Sequence, residues 1–316
     1  MRRFFLLLLV IVTTMMLVGC GSTRELRFGT GGTGGMYYAY GSVLADHVKQ
    51  SSDGYLLDVK ATAGSAANIR LIREGFLDFG IVQSDILATA PDQNAMFNTE
   101  GVAIVGVIYN EPCQIVVRAD SNIKSIVVLA GKRVAVGEEE SGALKNATEI
   151  LLAHGLTLGM VRPLHYSFID AAAALERNEV DAVFITAGVP TKAIAELADK
   201  VDVRFLAVEP DIINNMMQVY RGYTRCAIPA NTYKEQTTDI NTIGARAVLI
   251  TGTDVADRDV EFMTKLIFDG GLDMNDAVKG IDGGFHAGAA NFYKAHGITV
   301  EEYKGGSAQT VIAGQD

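Results

Sequence analysis

The sequence predicts an α/β protein of two lobes with a ligand cleft between them, and three observations carry that prediction. Short apolar strands alternate with helix-patterned runs over residues 26–109, and the same alternation starts again at residue 132. Two extended segments, 113–118 and 222–229, lie between and after these units and read as crossovers. Alternation of this kind implies parallel strands with helices on their faces. Two such units, each with a polar rim, make a two-lobed binding cleft.

The chain has 316 residues, 49% of them hydrophobic and 20% charged. That is enough for a sizeable core and does not suit a disordered chain or an array of membrane spans. A formal charge of -10 argues against nucleic acid as a partner, because phosphate binding is driven by Lys and Arg releasing counterions. Met1-Arg2-Arg3 and the apolar run 4–18 have the layout of an export signal, too short for a membrane helix of about 20 residues. Leu17-Val18-Gly19-Cys20 resembles a bacterial lipobox. Residues 1–20 therefore read as a lipoprotein signal peptide, with Cys20 lipidated and the folded part held outside the cytoplasm at a membrane.

The first unit, residues 21–110, starts with a short polar tether and the strand 26–28. GTGGTGG follows at 29–35 and leads into a helix whose stripe is Tyr37, Tyr40, Leu44 and Val48. Five glycines in seven residues suit a backbone that turns its N–H groups toward one point at a helix N-terminus, where a carboxylate or phosphate would fit. Residues 55–62 read as a strand, Ser65 as a helix N-cap, 68–74 as a helix, 79–82 and 102–109 as strands. In open α/β sheets ligands bind beyond the carboxyl ends of the strands. Loops 29–35, 63–65 and 83–85 leave such ends.

The second unit, residues 111–225, contributes strand 132–137, loop 138–142 and helix 143–154, with Leu144, Ala147, Ile150 and Leu151 on one face. Strand 161–164, helix 169–178, strand 182–185 and loop 186–190 continue it. Residues 226–316 then complete the first lobe through strand 245–251, helix 260–268 and the stretch 285–297, with a polar tail beyond 305. Cys113 and Cys226 fall one on each crossover, so that pairing and two free thiols both stay open.

Gly29-Thr30-Gly31-Gly32-Thr33-Gly34 matches G-x-G-x-x-G between a strand and a helix. Dinucleotide binding also asks for an acid at the end of the second strand, where this chain has Ala61-Thr62. No phosphate-loop Lys follows Gly34, and G-x-S-x-G, H-E-x-x-H and C-x-x-C are absent. No metal site, cofactor or catalytic residue is expected. Tyr37 belongs either to the core stripe or to a ring closing over a ligand. Gln83 and Ser84 either cap a helix or contact a ligand from a strand end.

GTGGTGGMYYAYG (29–41), TAGSAANIRLIREGFLDFGIVQSD (62–85), VVRADSNIKSI (116–126), GKRVAVG (131–137) and FHAGAANFYKAHG (285–297) together resemble the TAXI solute receptors of tripartite ATP-independent periplasmic (TRAP) transporters. The resemblance implies a two-lobed periplasmic-binding-protein fold, type II like, that closes on a small organic solute and delivers it to a membrane permease. It implies glutamate, glutamine or a dicarboxylate as solute. It places the contacts at Thr30, Gly31, Thr33 and Gly34, at Gly64, Ser65, Gln83 and Ser84, and at Ser141, Gly142, Thr186, Gly188 and Pro190; Tyr37 joins them as the candidate ring beside the loop.

Two departures matter. Ala287 stands where the family commonly has Pro, and Glu138-Glu139-Glu140 replaces the middle of G-x-P-G-S-G. Charge runs are usually exposed, so the triple Glu reads as a solvated rim. A carboxylate facing the cleft would instead favour an ammonium group, and so an amino acid over a plain dicarboxylate. The competing function is an exported enzyme or a nucleotide-binding protein using loop 29–35.

Overall fold

The computed structural model describes residues 23–51, 53–89, 98–269, 271–281 and 283–305. The signal segment with Cys20, and the tail from 306 on, lie outside the described residues.

Three parallel strands open the chain: β1 (Arg24–Gly29), β2 (Tyr55–Lys60) and β3 (Phe79–Gln83), with β1 in the middle. Helix α1 (Met36–Gln50) buries Tyr37, Gly41, Leu44 and Val48. Helix α2 (Ser65–Arg73) starts earlier than its apolar pattern suggests, and Gly64 rather than Ser65 is its N-cap. A single helical turn, α3 (Ser84–Leu87), follows β3.

The next strand corrects the expected layout. β4 (Val102–Arg118) runs unbroken for 17 residues, through Asn110-Glu111-Pro112, which in sequence reads as a break. Pro112 is tolerated because the ladder from β4 to β7 (Ala182–Thr186) begins only at Cys113, which leaves one flank of β4 without a partner there.

Beyond β4 come β5 (Arg133–Ala135), α4 (Gly142–Ala153), β6 (Arg162–Leu164), α5 (Phe168–Glu176) and β7. Helix α6 (Lys192–Lys200), β8 (Val203–Leu206) and α7 (Pro210–Val219) follow, then β9 (Thr224–Ile228) and β10 (Ile240–Gly252). Helices α8 (Asp257–Asp269) and α9 (Ala287–Ala295) end the described chain. The sheet path is β2-β1-β3-β10-β4-β7-β5-β6, with β8 on β4 and β9 on β10.

The expected return crossover, 222–229, is instead β9, which pairs antiparallel with Ile240 to Gly244 of β10. The return is made by β10 itself, which leaves β9, runs along β4 from Gly244 to Gly252 and ends beside β3. One apolar cluster joins residues 26–108 with 247–293, and two others lie within 113–243. Each lobe thus has its own core, and the paired strands β4 and β10 link them.

Gly244 pairs with Pro112 on one flank and Thr224 on the other. Cys113 and Cys226 therefore lie on opposite flanks of β10, and no disulfide joins them. Both thiols are free. Among the described residues no helix is long and apolar enough to cross a membrane, and no group of three or more His, Cys, Asp or Glu is placed to hold a metal.

Candidate functional site

A cavity of about 500 Å³, counting space continuous with solvent, lies between the lobes. Its lining includes Gly31, Tyr37, Gly64, Ser65 and Gln83 from the first lobe and Ser141, Gly142 and Thr186 from the second. These eight expected positions come from five loops and strand ends that face one another only because β4 and β10 fold the two halves together.

The glycine loop is pinned from below. Asn68 Nδ2 donates to the carbonyls of Thr30 (2.7 Å) and Ile81 (2.8 Å), and Thr62 Oγ1 donates to Thr30 O (2.7 Å). None of Gly31, Gly32, Gly34 or Gly35 has a positive φ. What the loop requires is close approach: a Cβ on Gly34 would stand 2.6 Å from Ile169 Cγ1, across the cleft. Helix α1 starts without a side-chain cap, and its first residues, Met36 and Tyr37, line the cavity.

The remaining expected positions serve other ends. Thr30 is fully buried and its hydroxyl donates to Lys60 O (2.8 Å), away from the cavity. Thr33 is exposed, and Gly34 O accepts from Ala193 N of the other lobe (3.3 Å). Ser84 Oγ donates to Gly222 O (2.7 Å) and accepts from Arg246 N (2.9 Å), which ties α3 to β10. Gly188 packs beneath Met36 and Tyr109, and Pro190 is exposed after a cis peptide bond.

Nine lining residues go beyond the expected set, and four of them carry sizeable side chains: Met36, Phe168, Glu138 and Glu111. Glu111 is 1% exposed, and its Oε2 accepts a 2.7 Å hydrogen bond from Tyr37 Oη. Burial pushes its carboxyl well above the ordinary range; the Tyr37 hydrogen bond opposes this and the Asp85 charge adds to it. Burial, reinforced by Glu111, likewise holds the Tyr37 phenol well above its ordinary value. Both readings of Tyr37 thus meet in one residue, since it packs in the core cluster and lines the cavity.

The triple Glu does not behave as one solvated rim. Glu139 alone is exposed. Glu138 turns into the cavity, half-buried, where desolvation and then Asp170 raise its carboxyl above the ordinary value. Glu140, at φ 60°, reaches across the cleft. Its carbonyl accepts from Ala66 N (3.0 Å) and Ala67 N (3.2 Å), and its carboxylate takes both Nε (2.9 Å) and Nη2 (3.0 Å) of Arg70. The amides at the start of α2 are therefore satisfied by the protein itself.

Behind the cavity, Lys145 Nζ and Asn146 Nδ2 of α4 each donate to Asp85 Oδ2 at 2.9 Å, a second contact between the lobes. Ser141 caps α4, its Oγ accepting from Leu144 N (3.1 Å) while donating to Glu138 O (2.6 Å). Gln83 is 2% exposed and reaches from the end of β3 to the start of α4, with no hydrogen-bond partner for Oε1 among the described residues. Among the described residues lining the cavity none is Lys, Arg or His. The arrangement can enclose a small polar molecule between amides, two carboxyl groups, one free amide acceptor and the apolar surfaces of Met36 and Phe168.

A family model described as the NMT1-like family matches residues 28–297. Among solved structures, the alkanesulfonate-binding protein SsuA from Xanthomonas axonopodis pv. citri, bound to MOPS, is similar at 18% identity over 87% of this chain and 80% of that one, with a TM-score of 0.50. A structure described as a periplasmic transporter is similar at 14% identity over 86% of this chain and 92% of that one, with a TM-score of 0.55. A protein from Bordetella bronchiseptica RB50 reaches 0.54 at 14% identity, over 89% of this chain and 84% of that one. At such identities the likeness is one of fold, the type II periplasmic-binding-protein fold.

Proposed function

The chain belongs to the NMT1-like family, and from that premise we propose that it is an extracytoplasmic receptor that captures a small organic solute by hinge closure and hands it to a membrane permease. The observation that carries this reading is the cavity itself, walled from both lobes, with direct contacts between the lobes on either side of it. A ligand touching both walls stabilises the closed state relative to the open one, which is what drives such a transition. The sequence motifs support the finer assignment to the TAXI receptors of TRAP-type secondary transporters. In that assignment Cys20 carries the lipid that tethers the receptor at the outer face of a membrane, and the reading is one of capture without chemistry.

For the solute, glutamate, glutamine and dicarboxylates are the classes the resemblance brings. Glu138, turned into the cavity, favours an amino acid over a plain dicarboxylate by repelling a second carboxylate. The test is a thermal-shift screen of the purified protein against amino acids, mono- and dicarboxylates and, because SsuA has this fold, aliphatic sulfonates. A solute at 100 times its Kd adds about 2.7 kcal/mol and a clear rise in Tm. A rise with NAD alone would overturn the receptor reading.

A further inference from the structure

We propose that Glu111 selects the solute by pairing with a cationic nitrogen at the floor of the cavity. The inference rests on the receptor reading and adds to it a residue and a proton.

The geometry is that of a buried carboxyl without a counter-ion. Glu111 comes from the middle of β4, where the crossover strands meet, and one of its oxygens is taken by the Tyr37 hydroxyl. The titratable groups around it are Tyr37 from α1, Tyr109 and Cys113 from β4 itself, Cys226 from β9 and Asp85 from α3. None of these is a cation. The nearby ammonium, Lys145, is held by Asp85 and by Glu149 Oε2 (2.9 Å) and does not line the cavity. A second acceptor waits in the same space, because Gln83 Oε1 is buried with no partner among the described residues. Two buried acceptors and no fixed cation form a site for a hydrogen-bond donor that brings its own positive charge. A solute carboxylate would find neutral donors, among them the backbone at the starts of α1 and α4 and the Ser65 hydroxyl.

With one oxygen buried against Tyr37 and no cation facing it, the Glu111 carboxyl is desolvated, which favours its protonated form below the raised pKa. When an ammonium group arrives, the O–H bond of Glu111 breaks, the proton passes to the buffer, and the carboxylate left behind pairs with the ammonium. Capture therefore releases a proton, and affinity rises with pH up to the raised pKa of Glu111.

The experiment is titration calorimetry of the purified protein with L-glutamate, L-glutamine, 2-oxoglutarate and glutarate, each in two buffers of different ionisation enthalpy at one pH. The expected result is that an amine-bearing probe binds with release of about one proton and the two deaminated probes bind at least about tenfold more weakly. Glu111→Gln keeps an acceptor for Tyr37 and should abolish the proton release and weaken the amine at least about tenfold, with an unchanged melting curve for the free protein. Proton-neutral binding of the amines by the wild type, tighter binding of 2-oxoglutarate or glutarate, or undiminished binding by Glu111→Gln would each overturn the proposal and leave the receptor reading standing. Failure of every probe here, together with silence in the wider solute screen, would overturn both.

Discussion

Breaking the Arg70 to Glu140 pair should open the cleft, and the expected size follows from its surroundings. The pair is bidentate, at 2.9 and 3.0 Å, yet the side chains are 43% and 32% exposed and Arg70 also holds Glu74 at 3.1 Å. An exposed pair of good geometry contributes about 0.2–1 kcal/mol, so removing it should lower the ratio of closed to open molecules by roughly 1.4- to fivefold. The two hydrogen bonds from Ala66 and Ala67 use the Glu140 carbonyl and survive a side-chain change.

That distinction separates three substitutions. Glu140→Ala keeps the left-handed backbone and loses the ion pair, so it should open the cleft most. Glu140→Gly loses the pair but relieves a left-handed conformation that costs a residue with a Cβ roughly 1–2 kcal/mol, so it should stay near wild type or close further. The double reversal, Arg70→Glu with Glu140→Arg, should recover part of the closure. Pulsed dipolar distances between spin labels at the exposed positions Val43 and Leu152, one on each lobe, report the two populations. Labelling needs Cys226 replaced by Ser, while Cys113 is buried. Arg70 holds the Glu140 carboxyl below its ordinary range. Its contribution to closure is therefore full above the ordinary carboxylate pKa and is lost as pH falls through the lowered value. Distance distributions identical for wild type, single and double variants, or strictly additive effects with no coupling between the two positions, would refute the clasp.

Two further outcomes follow from contacts already described. Gly142→Ala would set a Cβ inside contact distance of Gln83 Oε1 and 3.0 Å from Ser65 Oγ; overpacking of this kind costs about 1–3 kcal/mol, so a solute that shifts the wild-type Tm should bind at least about fivefold more weakly. Asp78→Asn should destabilise the first lobe by about 1–2 kcal/mol at pH 7 in denaturant unfolding. Burial alone would raise the Asp78 carboxyl, but its hydrogen bonds from Arg27 Nε (2.9 Å), Nη2 (2.7 Å) and backbone N (2.7 Å) outweigh that and lower it. The stabilisation is present above the ordinary aspartate pKa and fades as pH falls through the lowered one, so the gap between wild type and variant should close in acid.

The α/β layers are legible in the sequence because both periods are strong there. The stripe through Tyr37, Leu44 and Val48 and the run Phe79–Gln83 need no partner to be recognised. The crossover is not legible in the same way. Asn110-Glu111-Pro112 interrupts an apolar run, and Ile240-Asn241-Thr242 carries too little apolar content to announce the start of β10. The first is strand because it lies against Gly244 to Arg246 of β10 and the second because it lies against Cys226 to Ile228 of β9, and register between strands far apart in the chain is a tertiary fact. The site divides along the same line. Loops that leave strand ends are predictable from alternation alone, which is why Gly31, Ser65, Gln83, Ser141 and Thr186 meet at one cavity. Which of two neighbours faces that cavity depends on a half-turn of backbone: Gln83 points in, while Ser84 beside it ties α3 to β10.

Glu138, Glu139 and Glu140 show why composition misleads most at the rim. Three identical residues in a row count as three charges in water, yet one is solvated, one is spent on Arg70 and one lies in the cavity. The difference arises from backbone, since Gly137 at φ 98° and Glu140 at φ 60° turn the chain twice within four residues. Once those turns are in place the electrostatic sense of the cleft reverses. A glycine loop at a helix start argues for an anion, and α1 still offers its amides. The Ala66 and Ala67 amides of α2, however, are taken by Glu140, and among the described residues lining the cavity the carboxyl groups are those of Glu111 and Glu138. A dianion would meet both of these carboxyls, whereas a zwitterion would bring its own partner for one of them, so the pairing proposed at Glu111 predicts that amine-bearing solutes bind more tightly than plain dicarboxylates.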